Sequence, residues 1–276
     1  MSPDCVNNRR IVVCADDYGM SPSVNAGILA LAAQGRLSAT SILVDGPAAA
    51  VGMPGLLETG LQLGLHLNLT ESFGQPGLCL PLRQLILQAY ARRLSCDQVQ
   101  RDIQRQLQRF QDLTGRVPDY IDGHQHIHQL PGIRTPLLQA LDGLAGPRPW
   151  IRHTGRPRMA GLPWRLRFKA WVIAGLGAAA LHRQVQASGF CDNPGFLGVY
   201  DFTGGVSAYA AWMARWLAAA QDGDVLMCHP ALGLDPQDAL SSQRQAEYAV
   251  LAGAQMTQWL AQYQLTMMGA RSPKEP

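Results

Sequence analysis

Two aspartates stand side by side directly after a short apolar run. The string VVCADDYG places Asp16 and Asp17 where that run ends. Because a regular strand points neighbouring side chains to opposite faces, both carboxylates can serve one site only if the chain bends there. We expect a kink at Tyr18 and Gly19, after which one carboxylate could bind a cation and the other could act as a base. The alternative is an aspartate helix cap ahead of Ser21.

A dense group of candidate ligands lies in the string YIDGHQHIH. Asp122, His124, His126 and His128 follow one another at intervals of two residues. If this segment is an extended strand, all four side chains point to one face. Neutral imidazoles together with a carboxylate favour a divalent ion of zinc-like or harder character. One or two of the four could bind such an ion, while the others orient its ligands or contact substrate.

Two further histidines lie at the ends of predicted strands. His66 lies towards the end of LQLGLHLNLT, and His229 follows DVLMC. In parallel α/β folds the carboxyl ends of the strands share one rim, and that rim carries the chemistry. We therefore expect the two aspartates and five of the seven histidines to meet there. Cysteine is absent from this group, which argues against a structural thiolate site.

Short apolar runs alternate with longer amphipathic segments, which predicts repeated strand–helix units. We expect one catalytic domain over residues 1–276, folded as a distorted, TIM-like (β/α) barrel of parallel strands. An open, doubly wound sheet is the alternative. Neither glycine-rich nucleotide fingerprint is present. Strands are predicted at residues 10–15, 39–46, 61–70, 118–128, 149–154 and 224–230.

Composition excludes several classes of protein. Hydrophobic residues make up 47% of the chain and charged residues 16%, so a large core is expected. A formal net charge of +3 is too small to argue for a nucleic-acid partner. No signal peptide is recognisable, and the longest apolar stretch, residues 170–181, is too short to span a bilayer. The six cysteines show no paired spacing, so a cytoplasmic, reducing location is expected.

Four separated strings together resemble the YdjC-like carbohydrate deacetylases. They are VVCADDYGMSPSVNAGI, LGLHLNLT, YIDGHQHIHQLP and VLMCHPA, in this order along most of the chain. That family includes chitooligosaccharide deacetylases and deacetylases associated with hopanoid biosynthesis. The resemblance implies a distorted (β/α) barrel that removes the acetyl group from an N-acetylated sugar with one divalent ion, Mg²⁺ or Zn²⁺.

The resemblance also implies roles for individual residues. Asp17, His66 and His124 resemble the metal ligands. Asp16 resembles the general base, and His229 the acid that protonates the leaving amine or stabilises the oxyanion. Amide hydrolysis independently requires an activated water, a Lewis acid and a proton for the departing nitrogen. The family pattern further implies that GFLGVY, residues 195–200, forms a loop over the site.

Other polar residues near these strings are weaker candidates. We expect His126, Arg152 and Asn68 to contact substrate, although Arg152 could equally be a surface arginine. We expect Asp122 and His128 to support a ligand histidine by hydrogen bonding. The alternatives are an ordinary strand-end polarity for Asn68 and a solvated strand end for His128.

A basic and aromatic segment at residues 152–190 is not explained by these motifs. Between residues 152 and 169 it carries six basic residues and no acid, mixed with tryptophan and phenylalanine. Such residues beside an apolar helix are typical of a membrane interface or a lipid-bearing substrate. We therefore predict that the acetylamino sugar is lipid-linked, with an oligosaccharide as the alternative substrate, and that the protein contacts the inner face of a membrane peripherally. The alternatives are a packed core helix with a solvated basic flank and a homo-oligomer contact.

Other functions remain open at this level. An ion held by one aspartate and two histidines could also serve another amidase or a phosphoesterase. A non-catalytic sugar- or lipid-binding protein and a membrane-associated assembly protein are further alternatives. The complete set of Asp16, Asp17, His66, His124 and His229 argues against lost catalysis.

Overall fold

The computed structural model describes residues 9–268 and contains one parallel sheet flanked by helices. The strands are β1 (Arg9–Tyr18), β2 (Ala39–Ile42), β3 (Gln62–Leu67), β4 (Tyr120–Gly123), β5 (Trp150–Ile151), β6 (Phe196–Leu197), β7 (Val225–Cys228) and β8 (Leu265–Met267). The helices are α1 (Pro22–Ala33), α2 (Met53–Glu58), α3 (Leu82–Tyr90), α4 (Cys96–Thr114), α5 (Arg134–Asp142), α6 (Trp164–Gly175), α7 (Ala178–Ala187), α8 (Gly205–Ala219), α9 (Ser241–Ala252) and α10 (Ala254–Gln262).

The sheet runs in the order β5-β4-β3-β2-β1-β7-β6, and β8 pairs with the start of β1. All of these strand pairs are parallel. Isolated bridges join Ile151 to Asp192 and Pro157 to Phe196, so the two edges of the curled sheet approach each other. The predicted distorted (β/α) barrel is confirmed, and the open doubly wound alternative is wrong.

Strand β1 runs through the centre of the sheet and is buried from Ile11 to Tyr18. Ile11 and Val13 pack in the larger core cluster with the helices, whereas Val12 and Cys14 pack in a smaller cluster with residues of other strands. A parallel strand that is covered on both faces appears in the sequence as a continuous apolar run. This alternation places residues 12, 14 and 16 on the same face of the sheet.

The helices begin and end at local sequence signals. Ser21 caps α1, because its hydroxyl accepts a hydrogen bond from the Val24 N–H at 3.3 Å. The aspartates before it are therefore not the cap. The apolar stripe of α4 is buried, and Gly115 ends that helix in the left-handed region at φ 72°.

Two local predictions were wrong. The strand expected at 118–128 ends at Gly123, and residues His124–Gln129 form a 3₁₀ turn in which Gln125 and His126 have φ of 55° and 61°. The four acidic and imidazole side chains therefore do not share one strand face. GFLGVY is not a loop over the site, because it contains the buried strand β6.

The basic and aromatic segment occupies the connection between β5 and β6, where it forms α6 and α7. The connection is thus an ordinary crossover of the barrel with two helices in place of one. None of the helices within residues 9–268 has both the length and the hydropathy of a membrane-spanning segment.

Candidate active site

Both adjacent aspartates reach the same rim of the sheet because the backbone changes direction at Asp17. Asp16 continues the inward-facing series of β1, and a regular strand would send Asp17 to the opposite face. The register of β1 with β2 shifts between Ala15 and Tyr18, and Asp17 has a φ of 72°. The predicted kink is therefore present but begins at Asp17 itself, with Gly19 (φ 99°) completing the turn.

Asp17 of β1, His66 of β3 and His124 of the turn after β4 form a candidate metal centre. One ligand atom each from Asp17, His66 and His124 can be chosen so that all lie within 4.8 Å of one another. Oδ1 of Asp17 is 3.1 Å from Nδ1 of His124 and 3.4 Å from Nε2 of His66. One carboxylate and two imidazoles suit a divalent ion such as Zn²⁺, with further positions open to water and substrate. These are the three residues predicted as ligands.

Asp122 holds His66 from the side away from Asp17. Nδ1 of His66 donates to Oδ1 of Asp122 at 2.6 Å, which leaves Nε2 directed at Asp17. Burial alone would lower the pKa of His66, but Asp122 and Asp17 together raise it to about 10. Asp122 therefore lies where its predicted supporting role requires.

Arg244 on α9 binds the second oxygen of Asp17. Its Nη2 donates to Oδ2 of Asp17 at 2.7 Å, and its Nε donates to Asp238 at 2.6 Å. Burial would raise the pKa of Asp17, but Arg244 and His124 outweigh burial and hold that pKa well below its usual range. Arg244 thus orients the carboxylate and leaves Oδ1 facing the histidines.

Asp16 is held by a bidentate pair with Arg152. Nη1 and Nη2 of Arg152 lie 2.6 and 2.7 Å from the two oxygens of Asp16, and Nη2 also lies 2.8 Å from Oδ2 of Asp122. Burial would raise the pKa of Asp16, but the guanidinium holds it well below its usual range. Arg152 is completely buried, so its predicted contact with substrate is wrong. Its charge balances two carboxylates beneath the site.

His229 lies across the rim from Asp16. Its Nε2 is 4.0 Å from Oδ2 of Asp16, and its Nδ1 is 3.9 Å from Oε1 of Glu247. Glu247 also accepts a 2.6 Å hydrogen bond from the His229 backbone N–H, and Phe202 packs against the ring at 5.0 Å between centroids. Burial lowers the pKa of His229, although Glu247 opposes this effect, so the imidazole is neutral at neutral pH.

The two remaining histidines of the DGHQHIH string, His126 and His128, differ in how deeply they are buried. His126 packs edge-on against Phe196 with 5.6 Å between ring centroids, and its Nδ1 is buried with no hydrogen-bond partner within residues 9–268. Its contact with substrate remains a prediction. His128 is completely buried and donates from Nε2 to the Arg152 carbonyl at 2.9 Å. It therefore supports the segment that carries Arg152.

Asn68 shapes the loop after β3. Its side-chain oxygen accepts hydrogen bonds from the N–H groups of Thr70 and Glu71, and its amide donates to the Glu71 carbonyl. The predicted substrate contact is not supported, because this nearly buried side chain is committed to the turn. The turn brings Oε1 of Glu71 to 3.9 Å from Nε2 of His124.

A family model described as YdjC-like protein matches residues 10–262. The chain belongs to the YdjC-like family. The resemblance seen in the four sequence strings is thereby confirmed.

Two curated relatives illustrate the range of this YdjC-like family. A chitooligosaccharide deacetylase of Serratia marcescens is 29% identical over 237 residues, which cover 80% of this chain and 81% of that protein. A carbohydrate deacetylase of Mus musculus is 32% identical over 168 residues, which cover 55% of this chain and 52% of that protein. The match therefore spans about half the length of the mouse relative.

A solved structure from Enterococcus faecalis shares the fold of the YdjC-like chain. That protein is described as a candidate cellobiose-phosphate cleavage protein. It superposes with a TM-score of 0.70 at 17% identity and covers 98% of this chain and 100% of its own. At that identity the likeness establishes the fold.

Sequence reasoning missed two charged residues of this YdjC-like site. Arg244 and Glu247 contact Asp17 and His229 from the buried face of α9. The signal was present in SSQRQAEYAV, where polar residues occupy the positions that face the core. A periodicity analysis assigns such residues to the solvent face, and only the packing of α9 shows otherwise.

Proposed function

We propose that this protein is a metal-dependent carbohydrate N-deacetylase that hydrolyses the acetamide of an N-acetylated amino sugar and releases acetate. The observation that carries the proposal is the position of Asp16, which is ionised and lies in the chain next to the Asp17, His66 and His124 centre. The named activities of the related YdjC-like proteins support a sugar substrate.

Each side chain of the candidate site has a separate role in the proposed amide hydrolysis. A divalent ion bound by Asp17, His66 and His124 would polarise the acetyl carbonyl and make water more acidic. Asp16 accepts the proton of the attacking water, and its pair with Arg152 keeps it ionised and oriented.

His229 completes the proton transfer. Its neutral ring can take the proton from Asp16, whose Oδ2 is 4.0 Å from Nε2, while the charge of Glu247 favours the imidazolium that forms. As the C–N bond breaks, His229 returns this proton to the departing sugar nitrogen. The acetyl group leaves as acetate, and the protons of the reaction balance.

The proposal is tested by acetate release from N-acetylglucosamine oligosaccharides and glycolipids, with phosphate esters assayed in parallel. We expect acetate from at least one acetylated sugar, loss of activity after chelation, and recovery with Zn²⁺ or Mg²⁺. Activity that is insensitive to chelation would contradict the metal requirement. Phosphate release without acetate release would favour the phosphoesterase alternative.

We further propose that the sugar is lipid-linked and that α6 contacts the membrane surface. Trp164, Phe168 and Trp171 are 78%, 58% and 66% exposed. Their spacing of four and three residues places them on one helix face, opposite the buried Leu166 and Ala170. An apolar face of three large aromatic side chains that residues 9–268 leave uncovered is typical of a helix at a membrane interface.

Contacts connect this helix to the rim of the site. Nζ of Lys169 donates to the Tyr200 carbonyl at 2.5 Å and lies 5.1 Å from the centre of the Phe202 ring. Phe202 in turn packs on His229. A lipid-linked sugar presented at the α6 face would therefore enter the site from the side of His229.

The basic residues contribute less than their number in the sequence indicates. Arg152 is inside the protein, and Arg158 pairs with the buried Asp224 at 2.8 Å. Arg165 pairs with Asp201 at 3.3 Å. The aromatic face therefore carries the proposal, and exposed cations add attraction to anionic lipid.

Vesicle co-sedimentation with anionic phospholipid tests the membrane contact. We expect Trp164→Ser/Phe168→Ser/Trp171→Ser to lose most binding while it keeps activity on a water-soluble acetylated sugar. The matched control, Leu87→Ser/Tyr90→Ser, removes exposed apolar side chains from α3 and should bind like the wild type. Unchanged binding in the triple variant would contradict the proposal. A wild-type dimer that the triple variant dissociates would favour the homo-oligomer alternative.

A further inference from the structure

A second group of metal-ligand side chains lies outside the candidate active site. His153 follows β5, His182 lies on α7, and Asp192 precedes β6. One nitrogen from each imidazole and one carboxylate oxygen lie within 4.8 Å of one another. The family motifs do not include these residues, and the proposed hydrolysis does not use them.

This group lies on the other side of the chain from the candidate active site. Arg152 directs its guanidinium to Asp16, whereas the ring of the next residue, His153, lies 5.1 Å from the ring of His182. The His153 backbone is fixed by Asn193, which accepts from its N–H at 2.6 Å and donates to its carbonyl at 2.9 Å.

The side chain of His153 is buried but not satisfied. It is 3% exposed, and its Nε2 has no hydrogen-bond partner within residues 9–268. A buried polar atom of this kind calls for a partner such as an ion or water. The absence of a side chain at Gly155 allows the ring to lie in this position, because a Cβ there would stand 2.4 Å from that nitrogen.

The other two side chains are already oriented. Nδ1 of His182 donates to Oδ2 of Asp192 at 2.6 Å, and Gln186 donates to the other oxygen of Asp192 at 3.3 Å. The His182 side chain is 30% exposed, which gives an ion a path from solvent.

We propose that His153, His182 and Asp192 form a second metal site that binds Zn²⁺ or a similar transition-metal ion. Two imidazoles and one carboxylate match the preferences of such ions, and three protein ligands leave a fourth position for water. The ion would link β5, α7 and the segment before β6, and so fix the chain that carries Arg152. This site is independent of the proposed deacetylase function.

Zinc stoichiometry tests the proposal. Protein stripped by chelation is titrated with Zn²⁺, desalted and measured by elemental analysis, with circular dichroism to verify folding. We expect two zinc ions per wild-type chain and one in His182→Ala or Asp192→Asn. Gln186→Ala is the matched control, since it removes a contact to Asp192 but no ligand, and it should keep two.

Variants of the two centres separate this proposal from the proposed function. We expect one ion in His66→Ala and none in His66→Ala/His182→Ala. In Co²⁺-substituted protein, His182→Ala should remove one set of visible absorption bands. Full wild-type stoichiometry in both His182→Ala and Asp192→Asn would overturn the second site, whatever the state of the first. One wild-type ion that is lost in His182→Ala and kept in His66→Ala would support it and contradict the active-site centre.

Discussion

Asp17 combines an unfavourable backbone conformation with three polar contacts. A φ of 72° costs a residue with a Cβ roughly 1–3 kcal/mol unless the surroundings enforce it. Arg244, His124 and His66 all approach its carboxylate and offset that cost. The left-handed conformation of Asp17 brings two consecutive carboxylates to the same rim of the sheet.

Asp16→Asn is expected to reduce acetate release by about 10²- to 10⁴-fold, the usual contribution of a general base. The amide cannot accept the proton of water, whereas the metal ligands are unchanged. Steady-state kinetics on an acetylated sugar, together with metal analysis, would measure the effect.

Asp224→Asn is the matched control for this change. Asp224 is equally buried and forms a similar bidentate pair with Arg158, at 2.8 and 2.9 Å, away from the rim. It should lose stability in the same manner but keep its turnover. Near-native turnover in Asp16→Asn would contradict the general-base role.

Glu247→Gln is expected to lower kcat and leave KM nearly unchanged, because Glu247 contacts His229 and lies behind it. Hydrogen bonds to charged groups contribute about 1.5–3 kcal/mol, which corresponds to a decrease of about tenfold to a hundredfold. In a His229→Gln background the same change should have little further effect. Additive losses in the double variant would show that Glu247 acts through the fold and not through His229.

Some residues of the candidate site could be predicted from the sequence, and others could not. The sequence predicts that adjacent aspartates and histidines at strand ends lie near one another, since parallel strands bring their carboxyl ends together. The solvent exposure of a charged side chain cannot be predicted in the same way. Arg152 was predicted to meet a sugar because nothing in PWIRHT distinguishes a surface arginine from one that neutralises two buried carboxylates.

At the scale of elements, the turn after β4 departs most from its sequence pattern. In IDGHQHIH the aspartate and the three histidines recur at every second residue, as side chains on one face of a strand do. Two consecutive left-handed residues, Gln125 and His126, are disfavoured locally and persist because Ile127 and the following residues pack in the core. Tertiary packing, which no local pattern contains, therefore decides the conformation of this segment.

Gly64→Ala is expected to destabilise the protein by about 1–3 kcal/mol, as overpacking usually does. A Cβ on this residue of β3 would stand 2.3 Å from the Tyr120 ring. That ring is buried, stacks on Trp150 and shares hydrogen bonds with Cys14 and Ser41, so it cannot move aside easily. Urea unfolding at equilibrium measures the change.

A second glycine provides the comparison. A Cβ at Gly55, exposed on α2, would meet no atom within 4 Å in the described part of the chain. Gly55→Ala should be neutral or stabilise by up to about 1 kcal/mol, since alanine favours helix. Equal free energies of unfolding for the two variants would show that β3 and β4 are packed more loosely than the distances indicate.

For the whole molecule, the sequence predicted the class of fold but not the way in which the two edges of the curled sheet meet. Long apolar runs identified β1, β3 and β7 and implied parallel strands. Strands β6 and β8, of two and three residues, are too short to produce a period. The edges meet through single bridges whose partners are about 40 residues apart, and the sequence carries no local sign of such contacts.

The parallel pairing of β8 with the start of β1 makes the chain a candidate for circular permutation. Met268 donates to the Ile11 carbonyl, so the two ends of the described chain lie roughly 7 Å apart along β1. The eight residues before Arg9 and the eight after Met268 are long enough to join them. New termini between Ala145 and Gly146 would fall in the exposed loop before β5, at the end of the strands away from the rim.

Such a permuted chain should fold and keep the Asp17, His66 and His124 centre. Circular dichroism, thermal unfolding and bound zinc per chain would compare it with the natural order. If it fails to fold, the start of β1 has to be free for the sheet to assemble. If it folds, fusion partners and reporters can be placed far from the substrate entrance.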